Sequence, residues 1–63
     1  MRLLRPAEAA QVLGVSRSEI YRLVELGVVP AVRLAPRVLR IPEDELAEAI
    51  ARRRLPTDGA GGR

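Results

Sequence analysis

The sequence predicts a mainly α domain with one small β-hairpin, and three observations carry that prediction. Apolar side chains recur at the spacing of one helical face over residues 17–26 and again over 42–54. Between residues 31 and 41 the period falls to two, the signature of short strands. Gly14, Gly27 and Pro30 punctuate the chain where one pattern stops and the next begins.

The first helix is expected over residues 6–13. Pro6 suits its opening position, where a missing amide costs nothing, and the alanines at 7, 9 and 10 are strong helix formers with a thin profile. Leu13 is its large apolar contact, and Gly14 ends it; Arg5, at the cap position, is a poor cap. A turn then leads into a second helix, from about residue 17 to 26. Its start is signalled twice. Ser16 and Glu19 have the spacing of a capping box, in which the serine oxygen accepts from the third helical amide and the glutamate returns to the serine amide. Val15 and Ile20 stand where a hydrophobic staple clamps the same end. Ile20, Leu23, Val24 and Gly27 fall on the inner arc, and Ser18, Tyr21, Arg22 and Glu25 on the outer one.

In the hairpin, Val32 and Leu34 flank Arg33, Leu39 and Ile41 flank Arg40, and Ala35, Pro36 and Arg37 form the link. With no glycine or asparagine there, a tight two-residue primed turn is not expected and the tip should be somewhat loose. The closing helix opens at Pro42 and runs through Arg54, with Glu43, Asp44 and Glu45 in its first turn and Arg52, Arg53 and Arg54 in its last, both in accord with the helix dipole. Leu46 and Ile50, with Ala49 beside them, are its inner stripe. Residues 1–55 therefore read as one domain and 56–63 as a flexible tail without apolar content to hold it.

A chain of 63 residues has room for a small core and little room for a deep pocket. It contains no cysteine and no histidine, which removes disulfides, thiolate ligands and the commonest general base, so an enzyme is not expected, nor a metal, cofactor or small-molecule ligand. Glu8 interrupts any export signal and no stretch is long enough to span a membrane, so a cytoplasmic, nucleoid-associated protein is expected. The net charge of +3 is unevenly spread: residues 1–41 carry seven arginines against Glu8, Glu19 and Glu25. That concentration is the electrostatic footprint of a nucleic-acid binder. All eleven basic residues are arginine, which suits bidentate contact with phosphate and guanine and equally suits a GC-rich genome.

Taken in order, LLRPAEAAQVLGVSRSEIYRLVELGVVPAVRL followed by RIPEDELAEAI resembles the MerR-like winged helix-turn-helix of the excisionase family over roughly residues 3–54. The resemblance implies helix, turn, recognition helix, hairpin wing and closing helix, with the recognition helix in the major groove and the wing on the backbone or adjacent minor groove. Carried over by position, Ser16, Arg17, Ser18, Tyr21 and Arg22 would face double-stranded DNA from the helix, and Arg33, Arg37 and Arg40 from the wing. It further implies a phage or mobile-element recombination directionality factor that binds repeated sites cooperatively, bends DNA and biases an integrase toward excision.

The residues weigh differently on their own chemistry. Arg17 lies in the first turn, the end that enters a groove, and is the foremost candidate; Arg37 holds that rank in the wing. Arg22 could instead pair with Glu19 or Glu25, and the ring edge of Tyr21 could be buried rather than offering its hydroxyl to a phosphate. Glu19 has a sufficient structural task as a cap, and Arg52, Arg53 and Arg54 are explained by the dipole. Arg5 places a positive group beside the first helix that could reach a phosphate. Two other functions use the same features: a small MerR-like transcriptional regulator, and an adaptor whose basic face binds an acidic protein.

Overall fold

The computed structural model describes residues 1–55, with β1 at Leu3–Leu4, α1 at Pro6–Leu13, α2 at Arg17–Glu25, β2 at Val32–Ala35, β3 at Val38–Pro42 and α3 at Glu43–Arg52. Three helices and a three-stranded antiparallel sheet ordered β1-β3-β2 make a small winged helix-turn-helix. The expected tail at 56–63 lies outside the described residues.

Both helices of the first half stop as the glycines require. Gly14 and Gly27 have φ of 71° and 78°, the left-handed region that side chains disfavour. At α1 the amides of Gly14 and Val15 return to the carbonyls of Gln11 and Ala10; at α2 those of Gly27 and Val28 return to Val24 and Leu23. Each is a Schellman closure, which satisfies carbonyls that the helix leaves open. The turn between α1 and α2 is thus set by local hydrogen bonds before packing contributes.

The core gathers Leu4, Ala9, Ala10, Ile20, Val29, Ile41 and Leu46, with Leu13, Val15, Leu23 and Val24 packed around it. Ile20 and Ile41 are fully buried, each worth roughly 1.5–3 kcal/mol by transfer from water. Ala9 is also fully buried, and its small side chain lets α1 lie close to its neighbours.

The structure departs from the sequence reading at several points. β1 was not expected: Leu3 and Leu4 pair with Pro42 and Ile41, and the Glu43 amide donates to the Arg2 carbonyl at 2.8 Å, fixing the start of α3. Pro42 therefore ends β3 and caps α3 instead of opening the helix, and Arg53 and Arg54 fall just beyond its end. Ala49 takes the inner position while Ile50 remains 44% exposed. Gly27 is exposed and not on the inner face.

The wing differs most. Its connection is short, only Pro36 and Arg37 separating Ala35 from Val38, where a looser tip was expected. No described residue other than glycine has positive φ, so the mirror-image turns that need it are not used. The ladder shifts register instead: Arg33 pairs with Leu39 but Ala35 with Val38, leaving Leu34 as the extra residue. Every residue of β2 is exposed, so the alternation of Val32 and Leu34 does not mark a buried face. Val38 is half-buried, so it offers no free apolar patch at the start of β3.

Candidate nucleic-acid interface

The first turn of α2 is presented by its cap. Ser16 has extended backbone and its Oγ accepts from the Glu19 amide at 3.1 Å, so one orphan donor is satisfied and the helix direction is fixed at Arg17. The return half of the expected capping box is not made. The Glu19 carboxylate accepts from Arg22 at 2.8 Å, an exposed pair worth about 0.2–0.5 kcal/mol. Ser16 and Ser18 stand at the same end, exposed, with their hydroxyls 3.3 Å apart.

Four arginines line one hollow beside this turn. Arg17 and Tyr21, one helical turn apart on α2, line a hollow of about 310 Å³ with Arg37 and Arg40 of the wing and with Arg5 at the head of α1. Arg5, Arg17 and Arg37 are exposed, Tyr21 is 43% exposed, and Arg40 is half-buried, its Nη1 donating to the Leu39 carbonyl at 2.8 Å. The positive end of the α1 dipole opens on the same hollow through Pro6 and Ala7. No acidic side chain lines it, and the carboxylate that feels the charges of Arg5 and Arg40 is that of Glu8, at the head of α1. Guanidinium forks in this arrangement can each clasp a phosphate or a base edge through two parallel hydrogen bonds.

The sequence-predicted residues divide accordingly. Arg17, Tyr21, Arg37 and Arg40 are brought together. Ser16 and Ser18 adjoin them at the start of α2. Arg22 lies outside the hollow and is engaged by Glu19. Arg33 is turned to the wing itself, its Nη1 donating to the Pro36 carbonyl at 3.1 Å, which braces the short turn. The sequence places Arg5 beside the first helix as a positive group that could reach a phosphate, and its place in the hollow with Arg17, Arg37 and Arg40 depends on how the wing packs against α1. Its signal in the sequence was its position immediately before Pro6.

Glu8 keeps the head of α1 in place. Its carboxylate accepts from the Arg5 amide at 2.8 Å and meets Arg2 at 3.4 Å. That backbone hydrogen bond, aided by the charges of Arg2, Arg5 and Arg40, holds its pKa below the ordinary carboxylate value. Arg5 thus caps poorly through its side chain, while its amide is satisfied by the glutamate three residues on.

Among the described residues no group of histidine, cysteine and acidic side chains could hold a metal ion, and no helix is long and apolar enough to cross a membrane. The family model for a helix-turn-helix domain matches residues 3–54. No curated protein and no solved structure matches the chain.

Proposed function

The chain belongs to the helix-turn-helix domain family, which includes excisionase-like DNA-binding proteins, and from that premise we propose that it is a sequence-specific double-stranded DNA-binding module and not an enzyme. The observation that carries this reading is the meeting of Arg5, Arg17, Arg37 and Arg40 beside the first turn of α2. α2 would lie in the major groove with Arg17, Ser16 and Ser18 toward base edges, Tyr21 and Arg40 would reach the adjacent backbone, and Arg37 would extend along it. Arg22 and Arg33 would take part only by giving up their partners, Glu19 and the Pro36 carbonyl.

The role of that binding is recombination directionality: a MerR-like excisionase of a phage or mobile element that occupies repeated sites cooperatively, bends the duplex and biases an integrase toward excision. One short helix and one small wing make few contacts, which supports occupancy of adjacent sites by several copies.

Fluorescence anisotropy on DNA from the protein's own genomic neighbourhood tests the first step. Affinity should fall by orders of magnitude between about 50 and 200 mM salt. Arg17→Ala should weaken binding by about 1–3 kcal/mol while the thermal midpoint stays unchanged; equal loss in both would make Arg17 structural and remove the proposal. Footprinting and an excision assay with the neighbouring recombinase test the second step. Protected direct repeats with stimulated excision support the excisionase, and promoter protection without a recombination effect favours the small regulator.

A further inference from the structure

Another hollow lies away from the arginine-lined one. An open trough of about 400 Å³ runs between the end of α1, the end of α2 and α3. Val29 and Leu46 of the core form its floor, and Leu13, Leu23, Val28 and Ile50 its walls. Arg53 and Arg54 close one end, and a second hollow that shares Val28, Ala49 and Arg53 continues past Arg52. No carboxylate lines either hollow, and among the described residues none bridges Arg52, Arg53 or Arg54.

We propose that this trough binds an acidic amphipathic helix of a partner protein, with aliphatic side chains seated between Leu13, Leu23 and Ile50 and carboxylates facing Arg53 and Arg54. Charge complementarity selects the occupant. The walls accept leucine-like side chains, and Arg53 and Arg54 at one rim, with Arg52 in the adjoining hollow and no carboxylate lining either, outnumber the single negative dipole end of α3 and favour a partner that brings negative charge. Outside the trough, the exposed aliphatic side chains of the described residues are Val12 on α1, Leu26 after α2, Val32 and Leu34 on β2, and Met1, Leu3 and Leu55 toward the ends, and none of these sets is an acidic helical stripe. Residues 56–63 contain no bulky apolar side chain.

No residue lines both this trough and the arginine-lined hollow. On α2, Leu23 serves the first while Arg17 and Tyr21 serve the second, about half a turn away around the helix. The partner therefore docks while the arginine face stays open, and the inference does not depend on what that face binds.

The test uses the full chain, isotopically labelled for amide NMR, titrated with a synthetic peptide of about fifteen residues carrying leucines at i, i+3, i+4 and i+7 and glutamates elsewhere. Saturable shifts should centre on Leu13, Leu23, Val28, Ile50 and Arg53. Ile50→Ser and the pair Arg53→Gln with Arg54→Gln should each weaken binding at least roughly tenfold; the pair keeps the test intact should the Ser variant lose its fold. A peptide with lysine in place of every glutamate should bind as weakly as those variants. Four outcomes overturn the proposal: no saturable shift by about 1 mM peptide, equal binding of the lysine peptide, shifts confined to Arg17, Tyr21, Arg37 and Arg40, or concentration-dependent shifts at the trough without peptide, which would assign it to a second copy.

Discussion

The helix-turn-helix half and the wing meet at one arginine-lined hollow but are held by different means. α1 and α2 are fixed locally, each stopped by a left-handed glycine with two returning hydrogen bonds, and they bury Ala9, Ala10 and Ile20. β2 buries no residue; its ladder to β3 and the Arg33 bond to Pro36 hold it. The contrast teaches that stability and charge are assigned to different parts. α2 presents Arg17 from a rigid support, and the outer wing presents Arg37 from the turn after β2, a strand whose side chains contribute little to the core.

That division can be broken by substitution. The largest effect belongs to Ile20→Ala, which opens a cavity where α2 meets the core. It should lower stability by about 2–5 kcal/mol, much of the roughly 3–9 kcal/mol that a chain this short carries, visible as a collapse of the denaturant midpoint by circular dichroism. Gly27→Ala comes next. An added Cβ meets nothing within 4 Å, so only the left-handed backbone is penalised, by about 1–2 kcal/mol. Urea unfolding should show this with an unchanged slope. Leu34→Ser, on the other side of the comparison, should move stability by no more than about 0.5 kcal/mol, because Leu34 is 62% exposed. A large loss there would mean that the wing is part of the core.

The smallest effect is acid sensitivity at the head of α1. Because the folded state lowers the pKa of Glu8, its contribution is present above the ordinary carboxylate value and lost as pH falls through the depressed one. Glu8→Gln should flatten that acid limb of the midpoint-against-pH curve. An unchanged limb would place the acid sensitivity elsewhere.

Much of the helical half was legible because its signals are local. Pro6, Gly14, Ser16 and Gly27 each act within one turn of themselves, and the bounds of α1 and α2 follow from them. The sheet was less legible. β1 has two residues, too few to display a period, and exists only because Leu3 and Leu4 find β3 across the length of the domain. The extra residue at Leu34 is a property of a pair of strands, not of either alone. Of the candidate site, the residue types and the helix were readable. Arg40 with Arg17, and Arg5 with both, depend on how the wing folds back, and the choice of Glu19 between the Ser16 amide and Arg22 is decided by competition that spacing leaves open.

The pairing of Leu4 with Ile41, and of the Glu43 amide with Arg2, joins the two ends of a long loop. Closing such a loop carries an entropic penalty that contacts within α1 and α2 do not meet. The clasp is therefore the costliest connection of the domain to close, and it is the one that carries Arg5, at the head of α1, to the wing arginines. The register of the first few residues on β3 and the integrity of the cationic hollow are thus tied to one another.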